Sequence, residues 1–160
     1  MTRKTITIER TFSAPIEDVW ELWTTAEGME SWWGPEGFRV KVTKLELRPG
    51  GALHYDMIAT GPEQVAFMQK AGMPLSQPCR AFYTEVTPTR RLAFTCIVDF
   101  VPGVEQYEAG AAVELTERGA DTHLVLIVEA MHDEHWTKMA VMGWESELGK
   151  LASALAKKSK

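Results

Sequence analysis

The sequence has few of the residues that define several large classes of protein. Only two cysteines, Cys79 and Cys96, occur among 160 residues, and they form neither a CxxC pair nor a zinc-ligand spacing. Both lie in apolar runs typical of strands, which favours buried free thiols and a reducing, cytoplasmic location. No apolar run approaches the roughly 20 residues of a membrane-spanning helix. The first ten residues lack the apolar core of a signal peptide.

Positive charge is also scarce. Lysine and arginine number 17 against 22 aspartates and glutamates, which gives a formal net charge of −5. Because nucleic-acid binders normally present a basic face, that class of function is not expected. Gly50 and Gly51 lack the flanking pattern of a phosphate-binding loop. His132 and His135 would need a third ligand to hold a metal, and no HExxH pattern is present. We therefore predict neither a cofactor nor a metal site.

Apolar residues are present in the proportion usual for globular proteins, at 45% of the chain, and six of them are tryptophans. A chain of 160 residues is long enough to bury a core without disulfides or metals. Its length matches one domain, which we expect to span residues 1–160.

The first part of the chain reads as a strand followed by two short helices. Alternation predicts a strand at Lys4–Phe12. Ser13 is expected to cap the first helix, and Pro15 to occupy its first turn. Thr24 and Glu27 resemble a capping box for the second helix. The first helix carries one apolar stripe, formed by Ile16, Val19, Trp20 and Trp23.

Alternating apolar side chains then predict a run of antiparallel strands, with turns at 49–51, 87–89 and 118–121. A final helix follows Asp133 and Glu134, which are placed to cap it, and its apolar period continues for about twenty residues. A helix of this length needs a wide apolar surface. A curved sheet of six or seven strands would supply it.

One segment, Gly61–Pro78, is too long for a simple hairpin loop. Within it, Glu63–Ala71 is predicted to form a short helix. Two interpretations remain open: a lid over a binding site, or a surface helix that covers an edge of the sheet.

The order of these elements, with particular residues in them, resembles a known family. The residues that carry the resemblance are Phe12 to Pro15 with Val19 and Trp20, Trp32 to Pro35, Pro49 to Gly51, Glu85 to Pro88 with Arg91 and Leu92, and Gly143 and Trp144 with Leu148 and Leu151. The chain resembles the START-like helix-grip superfamily (SRPBCC), in the branch related to the C-terminal domain of the activator of heat-shock protein 90 ATPase. The resemblance implies an α+β fold of β-α-α-β6-α order, with a curved antiparallel sheet wrapped around a long C-terminal helix and a cavity between them.

The cavity that the resemblance implies suggests a set of lining residues. These candidates are Trp32, Trp33, Phe38, Tyr55, Met57, Phe82, Phe94, Val98, Met139, Met142 and Gly143. For Trp32 and Trp33 we favour core packing over an aromatic wall, although adjacent positions face different ways and the two can differ in role. Gly143 costs about 1 kcal/mol relative to alanine within a helix. Close approach of helix to sheet is the favoured reason for it, and space for a ligand is the alternative.

Four ionisable residues in predicted strands could act as acids or bases: His54, Asp56, Asp99 and Glu129. Alternation places His54 and Asp56 on the convex, solvated side of the sheet, although a shift of one residue would turn both inward. No catalytic motif is recognisable, so enzymatic activity is not the favoured hypothesis.

The sequence leaves three functions open. The first is a binding protein for a small apolar or amphipathic molecule. The second is an enzyme of the cyclase or hydrolase type that uses an inward-facing histidine or carboxylate. The third, suggested by the family name alone, is a regulator of a chaperone ATPase. Whether an exposed strand edge supports a homodimer is not decided by the sequence.

Overall fold

A computed structural model describes residues 4–99, 101 and 103–158. Its elements in chain order are β1 (Thr5–Phe12), α1 (Ile16–Thr24), α2 (Ala26–Glu30), β2 (Phe38–Leu45), β3 (Ala52–Ala59), α3 (Pro62–Lys70), β4 (Ser76–Thr87), β5 (Arg91–Val98), β6 (Tyr107–Arg118), β7 (Asp121–Glu129) and α4 (Glu134–Lys158). The strands form one seven-stranded antiparallel sheet in the order β1-β7-β6-β5-β4-β3-β2. The predicted α+β helix-grip fold is confirmed.

One face of the sheet is buried against α4. Side chains alternate between this inner face and the outer face along each strand, as in β7, where Leu124 and Leu126 are buried and their neighbours are half-buried. From α4, Leu148, Leu151 and Leu155 join the same core cluster. Register shifts in β2, between positions 42 and 44, and in β4, between 83 and 85, add bends at two bulges. The inner face can therefore wrap around a helix.

The start of α1 differs from the sequence prediction. Pro15 occupies the N-cap position and no side chain caps the helix, so the capping role assigned to Ser13 was wrong. The cap of α2 lies one residue later than predicted. Thr25 accepts a hydrogen bond from the Gly28 backbone N–H at 3.0 Å, whereas Thr24 still belongs to α1 and donates to the Trp20 carbonyl at 2.7 Å.

Segment 61–78 contains the predicted helix, here α3. It packs next to β3, and its Gln64 side chain lies against Gly37, just before the edge strand β2. Met68 is buried, while Phe67 is 60% exposed. Strand β4 begins within the segment, where Ser76 pairs with Ile58. This placement fits the interpretation of a surface helix at the sheet edge.

The N-terminus of α4 is capped as predicted. The Asp133 carboxylate accepts a hydrogen bond from the Trp136 backbone N–H at 2.8 Å. Within the described ranges, none of the helices combines the length and the apolar character needed to cross a membrane.

Candidate functional site

Trp33 lies where the turn after α2, the sheet and α4 meet. Its ring centroid is 6.1 Å from that of Tyr55, 5.9 Å from that of Phe94 and 5.2 Å from that of Trp144. Tyr55 and Phe94 come from β3 and β5, and Trp144 comes from α4. These four rings form an aromatic cluster beneath α4, mostly in the tilted or edge-to-face geometries that aromatic pairs prefer.

The neighbouring Trp32 has a different role. Its indole N–H donates to the Leu22 carbonyl at 2.8 Å, its ring centroid lies 4.6 Å from that of Trp23, and it is fully buried. Trp32 therefore joins α1 to the turn after α2. Only Trp33 of the two also reaches the rings of Tyr55 and Phe94 on the sheet, because adjacent residues at a helix end face different directions.

Small side chains cover the inner face of the sheet beside the aromatic cluster. Cys79 pairs with Tyr55, and Cys96 pairs with Ala81 on one side and Ala109 on the other. Both thiols are free and half-buried. Burial raises the pKa of each thiol to about 12.

Glu147 of α4 is the acidic residue of this site. Its side chain is buried, with the residue only 8% exposed, and its Oε2 atom has no hydrogen-bond partner within the described residues. The ammonium group of Lys150, one turn further along α4, donates to the Gly34 carbonyl at 2.7 Å and to the Phe38 carbonyl at 3.3 Å. Lys150 thus bonds to two backbone oxygens rather than to the carboxylate.

The pKa of Glu147 is raised to about 8, chiefly because burial disfavours its charged form. The Gly34 backbone amide and the Lys150 ammonium oppose this effect. A negative charge on Glu147 in turn raises the pKa of the Tyr55 hydroxyl and of both thiols, for which burial is again the main cause. Near neutral pH the carboxyl group of Glu147 is mostly protonated and can donate a hydrogen bond.

Gly34 joins the turn after α2 to α4. Its φ angle of +94° lies in the region that favours glycine, and a Cβ there would approach the Val40 side chain to 3.1 Å. Its backbone amide acts to lower the pKa of Glu147, and its carbonyl oxygen accepts a hydrogen bond from the Lys150 ammonium group. A larger residue would disturb both contacts.

The structure brings some of the predicted cavity residues together and separates others. Trp33, Tyr55 and Phe94 share the aromatic cluster, and Met57 packs against the same core. Val98 is buried on the inner side of β5, and Phe38 is half-buried at the start of β2.

Three candidates face elsewhere. Phe82 lies between the buried Ala81 and Tyr83 and so points to the outer face of the sheet. The bulge after Tyr83 reverses the alternation within β4, which is why a single period across the strand misassigned it. Met139 and Met142 are 41% and 65% exposed. At about 100° per residue they fall on the far side of α4 from Leu148.

The favoured explanation for Gly143 was also wrong. A Cβ at this position would meet no atom within 4 Å, so close approach of α4 to the sheet does not require glycine there. The surrounding space is open, one helical turn before Glu147 on the same side of α4.

None of the acids and bases singled out from the sequence belongs to the site. His54 and Asp56 alternate with the buried Leu53 and Tyr55, so they face outward as predicted. Asp99 forms an ion pair with Arg80 at 2.7 Å. Glu129 accepts a hydrogen bond from the Gly110 backbone N–H at 2.6 Å.

Glu147 was the residue that sequence reasoning missed. It lies three positions after Trp144, directly before Leu148 and four before Leu151, within the apolar face of α4. An acidic residue at that spacing is the signal that could have identified it.

The two histidines at the start of α4 have different surroundings. His132 is half-buried, and its Nδ1 atom lies 2.8 Å from the Tyr107 hydroxyl, while His135 is exposed. In the part of the chain that the structure describes, three or more metal-ligating side chains do not come together anywhere.

Two clefts of about 570 and 520 Å³ lie on the surface beside α4. Lys150 and Ser153 line both of them. Trp33, Tyr55 and the two thiols line neither cleft, whereas Ser146, the neighbour of Glu147 in the chain, lines the second.

Comparison with known proteins agrees with this architecture. Residues 13–156 match the model of the family described as activator of Hsp90 ATPase homolog 1-like protein. A crystal structure of a Chromobacterium violaceum protein is similar at a TM-score of 0.78 and 24% identity, covering 94% of this chain and 96% of that one. The AHSA1 protein from Silicibacter pomeroyi is similar at 0.76 and 21%, covering 97% and 99%. At these identities, the likeness to solved structures concerns the fold. No match is found among the curated proteins.

Proposed function

The chain belongs to the family of activator of Hsp90 ATPase homolog 1-like proteins, and on that premise we propose that it binds a small amphipathic molecule between the sheet and α4. The family description does not identify a ligand. The proposal therefore rests on the side chains that meet beneath α4.

The observation that carries the proposal is the carboxyl group of Glu147. Its buried Oε2 atom has no partner among the described residues, which is costly for a polar group and more so for an ionised one. The Trp23 indole N–H and the Tyr83 hydroxyl are likewise buried without a partner in the described part of the chain, but neither carries a charge at neutral pH. A protein that retains such a carboxyl group gains from a ligand that hydrogen-bonds to it.

The surroundings of Glu147 suit an apolar body attached to a polar group. The rings of Trp33, Tyr55 and Phe94 supply flat apolar surface. Small residues on the sheet, Cys96 and Ala111 among them, remain half-buried although they face inward. A site with mostly apolar walls and a few polar groups is the usual form of a small-molecule pocket.

Two neighbouring positions on β5 allow the proposal to be tested. Cys96 faces inward and Thr95 faces outward. We expect Cys96→Phe to abolish binding of 1-octanol, measured by calorimetry, because the larger ring fills the space. Thr95→Phe should bind like the wild type. Native mass spectrometry of gently purified protein should show a bound small molecule in the wild type and none in Cys96→Phe.

A different outcome would contradict ligand binding between the sheet and α4. If the inner region is fully packed, Cys96→Phe will lower the free energy of unfolding by about 1–3 kcal/mol through overpacking. The wild type will then bind no octanol and carry no small molecule. That combination would remove the proposal.

An enzyme is the second candidate, and Glu147 again favours it. A carboxyl group with a pKa of about 8 is suited to general acid or base catalysis near neutral pH. Hydrolysis of an octanoyl ester should then be lost in Glu147→Gln and retained in Glu145→Gln, whose side chain is half-exposed. Equal rates in the two variants would count against catalysis by Glu147.

For a chaperone regulator, no feature of the residues described by the structure adds support beyond the family description. We also propose that residues 1–160 form a single domain. The two free thiols support a reducing, cytoplasmic setting for it.

A further inference from the structure

The charges around Glu147 indicate which polar group a ligand would carry. Three ionisable side chains of the sheet interact electrostatically with Glu147: Tyr55 on β3, Cys79 on β4 and Cys96 on β5. Each of them is neutral or, if ionised, negative. The sheet therefore supplies no positive charge to the carboxylate.

Among the described residues, Lys150 is the cation that acts on Glu147, and its hydrogen bonds go to the carbonyl oxygens of Gly34 and Phe38. Lys150 also interacts electrostatically with Glu36. The buried Oε2 atom of Glu147 therefore has no hydrogen-bond partner in the part of the chain that the structure describes. A buried carboxylate is stabilised when a cation reaches it with good geometry.

Aromatic rings nearby add to this preference. Trp33 and Trp144 have ring centroids 5.2 Å apart, and Phe94 lies 6.4 Å from Trp144, three residues before Glu147 in α4. The faces of such rings attract a desolvated ammonium group. The formal net charge of −5 also favours the approach of a cationic molecule.

We propose that the ligand is an amphipathic amine whose protonated nitrogen pairs with the Glu147 carboxylate while its apolar part lies against the aromatic cluster. This inference rests on the proposed binding function and specifies the chemical class of the ligand. Near neutral pH, Glu147 releases a proton when the amine binds, because the ammonium stabilises the ionised carboxylate.

Three probes of equal chain length test the charge: octylamine, 1-octanol and octanoate. Titration calorimetry at pH 7 should give octylamine an affinity at least about tenfold above that of octanol, since close charge pairs contribute this much or more. Octanoate should bind most weakly. Repeating the titration in buffers of different ionisation enthalpy should show release of a proton with octylamine and none with octanol.

Glu147→Gln should remove the advantage of octylamine over octanol. Glu145→Gln is the matched control, because it makes the same charge change at a half-exposed position of the same helix. It should keep the preference for the amine. Physiological salt during the titrations limits non-specific attraction between octylamine and the negative surface.

The outcomes separate the two proposals. If octanol binds the wild type as tightly as octylamine, or if Glu147→Gln keeps the amine preference, the ligand-binding function stands and the inference is wrong. If none of the three probes binds the wild type and Cys96→Phe lowers the free energy of unfolding by overpacking, the binding function itself fails.

Discussion

The two halves of α4 face the same sheet with different side chains. In the C-terminal half, Leu148, Leu151 and Leu155 are buried in the main core cluster. In the N-terminal half, taken up to Glu147, the inward side carries Ala140, Gly143, Trp144 and the carboxyl group of Glu147, and all of these except Glu147 remain half-buried. The C-terminal half thus contributes to stability through close packing. The N-terminal half combines two small residues and an indole with a carboxyl oxygen that is unpaired among the described residues, which suits a binding site better than a core.

The largest effect that distinguishes the two halves is expected at Leu151, which is fully buried. Leu151→Ala should lower the free energy of unfolding by about 2–5 kcal/mol, because it removes buried methyl groups and leaves a cavity. Urea denaturation measures this change. Met142→Ala is the control in the exposed part of the N-terminal half, and its effect should stay within about 0.5 kcal/mol. Similar losses in the two variants would mean that the halves do not differ.

The second effect concerns pH. The pKa of Glu147 is raised from 4.5 to about 8 on folding, so the unfolded chain loses its proton first as pH rises. Its contribution to stability is therefore greatest below about pH 4.5 and declines as pH increases to about 8. Relative to the wild type, Glu147→Gln should gain stability between pH 5 and pH 9, by an amount on the order of a few kcal/mol.

Urea denaturation across this pH range measures the difference, with Glu145→Gln as the control for loss of a surface carboxylate. Parallel stability curves for the wild type and Glu147→Gln would show that the carboxyl group is not desolvated in the folded protein. The polar character assigned to the N-terminal half of α4 would then be wrong.

The third effect compares the two adjacent tryptophans. Trp32→Phe removes the indole N–H that bonds to the Leu22 carbonyl, and it should cost about 1–3 kcal/mol of unfolding free energy because that buried oxygen loses its partner. Trp33→Phe keeps this bond, so we expect its main effect to be on octylamine affinity. Its effect on the free energy of unfolding should be smaller. Denaturation and calorimetry on both variants measure the two quantities. A loss of affinity in Trp32→Phe alone would reverse the assignment.

The smallest effect is expected at the helix glycines. A Cβ added at Gly143 or Gly149 would meet no atom within 4 Å. Each substitution by alanine should therefore stabilise the protein by up to about 1 kcal/mol through helix propensity. If Gly143→Ala alone weakens ligand binding, the open space next to Glu147 is used by the ligand. A destabilised Gly143→Ala would show that this space is not open.

The fold could be predicted because its signals repeat along the chain. Apolar residues recur with helical spacing along α4 at Trp144, Leu148, Leu151 and Leu155. Alternation of apolar and polar residues correctly predicted which side chains of β3 lie on the inner face of the sheet. Many residues contribute to such patterns, so one irregular position does not change the result. The cap at Thr25 and the outward direction of Phe82 were missed because each depends on a shift of one residue.

The site was harder to predict because it depends on contacts between distant segments. Glu147 reads as an ordinary helix glutamate until β3, β4 and β5 are placed opposite it. Nothing in the local sequence indicates that Lys150 will bond to the backbone of residues 34 and 38 instead. Titratable groups in helices are usually solvated, and only the assembled fold shows which one is not.

The position of Gly34 has a practical consequence. This residue interacts through its amide with Glu147 and through its carbonyl with Lys150, and it directly follows Trp33 in the chain. We therefore expect a change of charge at Glu147 to alter the surroundings of the Trp33 indole, which is buried among other rings. The protein should thus contain its own optical reporter, in which tryptophan emission follows events at the carboxyl group without any added label.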